Sequence, residues 1–290
     1  MTRANAPSNA IRFWGVRGSI ASPGSHTTGV GGNTSCVEIC LAGERILLDG
    51  GTGLRALGQA RGPAPLEATL LFGHLHWDHI QGVPFFGPLF HPQSRLRLVG
   101  PAGLEAALRG QMSGPVFPVS MEAFNAGLTL ENVAPGARLQ VGEVTVTTTA
   151  LDHPGGCIGY RLEHAGHAVV YAVDHEQRGV TLDPALVDLA AGAEVLIHDA
   201  QYLPEEQAGK VGWGHSTYVQ AVQLAVAAGV QTLVLTHHDP TRDDVAVLQI
   251  EQRARQLFPG TWAAREGLTL ELCGPWQGQA DQTFPLAAAV

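Results

Sequence analysis

The chain has 290 residues, 45% hydrophobic and 15% charged, enough to bury the core of one large domain or two small ones. Its formal charge of −9 offers no basic footprint for long nucleic acid, and no run of about 18 apolar residues suggests a membrane partner. Cys36, Cys40, Cys157 and Cys273 show no CxxC spacing and the first residues carry no signal-peptide pattern, so reduced thiols and a cytoplasmic location are expected.

In chain order, β-rich apolar runs predict strands at 11–16, 35–41, 44–48, 68–73 and 95–99, and then at 138–149, 157–163, 167–173, 194–198, 231–236 and 268–272. The breaks at 61–67 and 132–143 are too short for interdomain linkers, so residues 1–290 read as one domain with a core from about 11 to 273 and a loose tail. Helix signals are clearest in the second half. Asp183-Pro184 opens a helix over 184–191, stopped by Gly192. A capping box from Thr217 to Gln220 opens another that ends at Gly229, and a third covers 243–257 after Thr241 or Asp243. The pattern is that of an α/β or α+β layered domain, with helices covering sheets.

The informative regularity is how the apolar runs end. Asp49 ends one, and "HLHWDH" at 74–79 ends the next; Asp152 and His153, Asp174 and His175, His198 and Asp199, and His237 to Asp239 end four more. A single Asp or His after a strand is usually a turn former. Six such endings, on the strand rim where layered α/β proteins collect ligands, point to a site. His74 and His76 lie two apart and can reach one metal from one side, while the chain turns Asp78 and His79 elsewhere, which suits two ions. Imidazole and carboxylate donors without thiolate suit zinc, with manganese or iron possible.

This order of residues resembles the metallo-β-lactamase superfamily, in which an Asp after an early strand, HxHxDH, a later His, a later Asp and a final His recur. Asp49, His74, His76, Asp78, His79, His153, Asp174 and His237 match those positions. The resemblance implies a four-layer αββα sandwich. It also implies one ion on His74, His76 and His153, a second on Asp78, His79 and His237, Asp174 bridging, and Asp49 orienting ligands from behind. A water shared by two such ions has its pKa lowered toward ~7 and supplies hydroxide for hydrolysis, with Asp78 counted among the catalytic groups. The neighbours His175 and His238 are ranked as supporting or substrate-facing.

"HDA" at 198–200 and "GHST" at 214–217 are similar to paired acidic and histidine motifs of the phosphodiesterase branch, which includes ribonuclease Z, although Asp199 stands where that enzyme has glutamate. The resemblance makes His215, steadied by Asp199, the acid that protonates an alkoxide leaving group, an effect typically worth 10²- to 10⁴-fold. Ribonuclease Z inserts a long tRNA-gripping arm between the late His and the late Asp. Here only 154 to 173 intervene, reading as a plain hairpin, so a small phosphodiester such as a cyclic nucleotide or short oligonucleotide is the expected substrate. A homodimer is compatible with the branch. Arg17, Ser19 and Asn33 either donate to a phosphate from glycine-rich loops or merely accompany tight turns. The phenylalanines of "GVPFFGPLFHP" read mainly as core, with a base-stacking wall as the other option. The competing functions are a thioester, lactone or lactam hydrolase, in which His215 would matter little; an iron-dependent oxygenase; and a non-catalytic metal-dependent binding or sensor protein.

Overall fold

Alternation along the strands decides the layering. In the computed structural model, which describes residues 9–179 and 181–273, Ile46 and Leu48 of β3 (Glu44–Leu48) join one hydrophobic cluster and Leu47 another. Likewise Val169 and Tyr171 of β10 (His167–Ala172) share the first cluster, while Val170 and Ala172 face a third. Residues two apart share a face of a pleated strand, so each sheet has one face toward the other sheet and one toward helices.

The first sheet has seven strands in the order β14-β1-β2-β3-β4-β5-β6. These are β1 (Ala10–Gly15), β2 (Cys36–Leu41), β3, β4 (Glu67–Leu71), β5 (Arg95–Gly100), β6 (Gly127–Asn132) and β14 (Thr269–Glu271). The second runs β13-β12-β11-β10-β9-β8-β7, built from β7 (Arg138–Val141), β8 (Val144–Leu151), β9 (Cys157–His164), β10, β11 (Val195–Asp199), β12 (Thr232–Thr236) and β13 (Thr261–Ala263). Both are mixed in the same way. Pairing is antiparallel through β3 in one and β10 in the other, then parallel to the edge. Helices α1 (Thr52–Arg61) and α3 (Leu104–Gln111) cover the first sheet. α4 (Pro184–Ala190), α6 (Tyr218–Ala228) and α7 (Asp244–Leu257) cover the second. Single turns of helix, α2 (Trp77–Ile80) and α5 (Pro204–Gln207), complete the set. The four layers are the αββα sandwich expected.

The three expected helices form, each with its cap. Asp183 accepts from Ala185 N, Thr217 from Gln220 N, and Asp243 from Ala246 N, which settles the last start on Asp243; Thr241 instead bonds Asp239. The run 138–149, expected as one strand, is a hairpin. Gly142 at φ 54 turns the chain between β7 and β8, a conformation that favours glycine. α1 and α3 carry no side-chain cap of their own. The start of α1 is held by Thr34, whose Oγ1 accepts from Thr52 N at 2.9 Å while Thr52 Oγ1 accepts from Thr34 N at 2.9 Å. The expected loose tail after 273 lies outside the described residues. Among those described, no helix is long and apolar enough to cross a membrane.

Candidate metal centre

The polar strand endings converge at one rim of the sandwich. Asp49 follows β3, the 74–79 segment follows β4, His153 follows β8, Asp174 follows β10, Asp199 closes β11 and His237 follows β12. Asp49, Asp174 and His237 adopt φ of 60°, 67° and 56°. Left-handed backbone costs a non-glycine residue about 1–2 kcal/mol, and repetition at three converging strand ends is the pattern of a site whose geometry is over-determined by its surroundings.

Within the 74–79 segment, α2 separates the donors. His74, His76 and His153 bring one ligand atom each to within 4.8 Å of one another; Asp78, His79 and His237 do the same, as do His74, His79 and Asp174. Asp174 stands between. Its Oδ2 lies 3.1 Å from His74 Nε2 and 2.9 Å from His79 Nε2, and its Oδ1 lies 3.1 Å from His237 Nε2. His76 Nδ1 and His153 Nε2 face each other at 3.0 Å, and His79 Nε2 and His237 Nε2 at 3.3 Å.

The outer partners assign the ring protons. His79 Nδ1 donates to Asp49 Oδ2 at 2.7 Å, His153 Nδ1 to the Gly214 carbonyl at 2.9 Å, and His237 Nδ1 to Gln201 Oε1 at 2.9 Å. With Nδ1 protonated, each Nε2 presents a lone pair to the centre, the form in which imidazole binds a metal. Lone pairs facing one another at such distances repel unless a cation lies between them. His74 Nε2 and Asp174 Oδ1 are buried there without hydrogen-bond partners, which is costly in an apolar interior. The donor set therefore fits divalent metal ions.

Asp49 is anchored in turn by Gly73 N at 2.8 Å and by the Tyr171 hydroxyl at 2.6 Å, so a tyrosine of the second sheet holds a carboxylate of the first. Asp78 Oδ2 accepts from Ser19 N at 2.7 Å. Gly214, at φ 86, touches His153 so closely that a Cβ there would lie 2.1 Å from His153 Nδ1. Tyr171 and Gln201, and the part Gly214 plays beyond its place in the GHST motif, carry no signal in the sequence, because each acts on Asp49, His237 or His153 from more than 30 residues away.

His215 sits against this cluster. Its Nδ1 is 3.4 Å from Asp174 Oδ1 and 3.4 Å from Asp199 Oδ2, and its ring stacks on His237 with centroids 5.0 Å apart. Burial lowers its pKa, but contact with Asp174 and Asp199 outweighs that and raises it to about 10. Asp199 is fixed by the amides of His175 and Ser216.

Several candidate substrate contacts are employed elsewhere. Arg17 is fully buried, and its guanidinium donates to the carbonyls of Gly31, Asp239 and Arg242, so it clamps loops and is not offered to a phosphate. Asn33 is taken by Glu266 through both its backbone N and its Nδ2. Ser19 serves Asp78 through its backbone amide. His238 turns away to the Ala264 carbonyl, and His175 Nδ1 accepts from Asp152 N. In "GVPFFGPLFHP", Phe86 is core, whereas Phe85 is exposed and packs edge-to-face on Phe117 in a cleft of about 1050 Å³ that Trp77 also lines.

A family model described as "Beta-lactamase superfamily domain" matches residues 44–238. Ribonuclease Z of Gemmatimonas aurantiaca is 28% identical, over 82% of this chain and 90% of its own. The metallo-beta-lactamase fold protein YhfI of Bacillus subtilis superposes with a TM-score of 0.69 at 19% identity, over 91% of this chain and 100% of that one. The short form of human tRNase Z gives a TM-score of 0.65 at 20% identity, over 91% and 99%. With well over half of its length under the family model, and with the same four-layer fold, the chain belongs to the beta-lactamase superfamily.

Proposed function

We propose that this chain, a metal-dependent hydrolase, cleaves a small phosphodiester such as a cyclic nucleotide or short oligonucleotide. The observation that carries the reading is His215, 8% exposed, placed between the carboxylates of Asp174 and Asp199 beside the two donor sets. Its relatives named ribonuclease Z, 28% identical over most of both chains, support the same bond type.

In this reading His74, His76 and His153 hold one divalent ion and Asp78, His79 and His237 a second, with Asp174 between them; zinc suits these donors best, and manganese or iron is compatible. Such ions, when bound, supply an activated water and neutralise charge on the phosphate. The chain's own residues do the rest. Asp49, Gly214 and Gln201 keep the imidazole protons on the outer nitrogens, so that Nε2 of His79, His153 and His237 is free to bind. Asp199, 3.4 Å from Nδ1, favours the protonated form of His215. With Nδ1 turned to Asp174 and Asp199, Nε2 is the atom left to pass a proton to the departing oxygen. An alkoxide needs that proton far more than a nitrophenolate does.

The test follows from that difference. His215→Ala is expected to slow hydrolysis of an unactivated dinucleotide by about 10²- to 10⁴-fold and to slow bis(4-nitrophenyl) phosphate much less, with metal content retained. Equal losses on both substrates would remove the acid role.

A further inference from the structure

Lys210 is the only lysine in the sequence; all other members of its 17 lysines and arginines are arginines. It lies between α5 and α6, five positions before His215. Its Nζ sits 4.7 Å from the Tyr202 ring centroid and 5.1 Å from that of Trp213. Among the described residues its ammonium forms no salt bridge or hydrogen bond, so the N–H donors not turned to the two rings can serve a ligand.

Three observations place this ammonium at the site. Tyr202, 1% exposed, packs edge-on against His215 with centroids 5.7 Å apart, so Lys210 is one ring removed from the histidine. Trp213, two positions before His215, is 59% exposed, an unusual placement for so large an apolar ring. The loop carrying both is tied to the cluster by Glu176, a buried side chain two positions after Asp174. Its carboxylate accepts from Gly212 N and from Gly214 N, each at 2.8 Å. A positive charge and an open aromatic face are thus held at fixed positions beside the proposed acid. Together they match how single-stranded nucleic acid is gripped, by a cation on phosphate and a ring on a base.

We infer that Lys210 and Trp213 bind the nucleotide next to the scissile bond, Lys210 taking its phosphate and Trp213 its base. The substrate class narrows to a short oligonucleotide carrying a phosphate besides the one that reacts, in preference to a cyclic mononucleotide. This inference rests on the phosphodiester reading. It assigns Lys210 to recognition and gives it no part in bond cleavage.

The experiment uses the metal-loaded full chain and two thymidine dinucleotides, with and without a 5′-phosphate. Lys210→Ala is expected to raise KM for the phosphorylated dinucleotide about tenfold, the usual scale of a lost charged hydrogen bond, with kcat and the KM of the unphosphorylated dinucleotide unchanged. Lys210→Arg keeps the charge and should stay within about threefold. Trp213→Ala should raise KM for both, by about tenfold, as loss of one stacking contact does. Equal effects of Lys210→Ala on the two dinucleotides, or no effect, would overturn the assignment. A second readout needs no turnover. Because the chain has one lysine, acetylation of its side chain by acetic anhydride is read unambiguously by mass spectrometry, and the phosphorylated dinucleotide alone should protect it. Protection without hydrolysis of either dinucleotide would uphold the recognition site while refuting the phosphodiester reading. Hydrolysis without protection or discrimination would do the reverse.

Discussion

The two halves of the sandwich are alike in build and unlike in how they supply the site. Each sheet runs antiparallel and then parallel, with helices on its outer face. The first half delivers His74, His76, Asp78 and His79 from a single segment, where the one turn of α2 separates the donors. The second delivers His153, Asp174, Asp199, His215 and His237 from the ends of different elements. Donors in the first half are placed by local backbone geometry. Most donors in the second are placed by the sheet that aligns their strands, with His215 placed by the start of α6; remote partners steady both halves, as Ser19 does Asp78 and Gly214 does His153.

Asp174 is where the halves meet, since it faces His74 and His79 from one and His215 and His237 from the other. Asp174→Ala should therefore have the largest effect, lowering hydrolysis by more than about 10²-fold, because loss of even an outer partner typically costs 10- to 100-fold. Elemental analysis should show at least one ion lost per chain, and full retention of both would mean that Asp174 does not join the two halves through the ions. Gly214→Ala tests the dependence of the second half on its loops. The added Cβ collides with His153 at a backbone angle that disfavours alanine, so weaker binding at the His153 ion, by about 10- to 100-fold, is expected in a metal titration. Binding at the Asp78 ion should change little.

Tyr171→Phe probes a bond by which the second sheet steadies a first-half carboxylate. Removing a hydrogen bond to a charged group should cost about 1.5–3 kcal/mol in urea unfolding and about tenfold in metal affinity. A neutral result would make the first half self-sufficient. On stability, an effect of similar size is expected from chelation of the wild-type protein. Ligands at 100 times Kd stabilise by about 2.7 kcal/mol, so removing the metal should lower Tm by about 5 °C. If the second half relies on the ions to hold its donors together, hydrogen exchange after chelation should quicken at 152–154 and 209–216 before it does at 74–80.

Legibility followed the same divide. The HxHxDH segment could be read because its donors are neighbours in sequence, and His153, Asp174, Asp199 and His237 because each stands at the end of an apolar run, whereas His215 came only with the resemblance. The helices with their own caps, after Asp183, Thr217 and Asp243, could be read from a few residues. α1 could not, because its N-terminus is held by Thr34, 18 residues earlier. β6 lies at a sheet edge and is mostly half-exposed or exposed, so its apolar signal is weak.

Sequence alone thus determined a layered domain of sheets and helices and the residues rich enough in donors to make a metal centre, because those rest on period-two alternation, local caps and short spacings; the family and its four layers came with the resemblance those donors carry. Tertiary structure decided how the side chains are used. It buried Arg17 under backbone carbonyls, gave Asn33 to Glu266, set the proton on each imidazole through Asp49, Gly214 and Gln201, and brought Lys210 over the ring that packs on His215. Each of those depends on contact between segments far apart in sequence, and such contacts exist only once the two sheets have closed on each other.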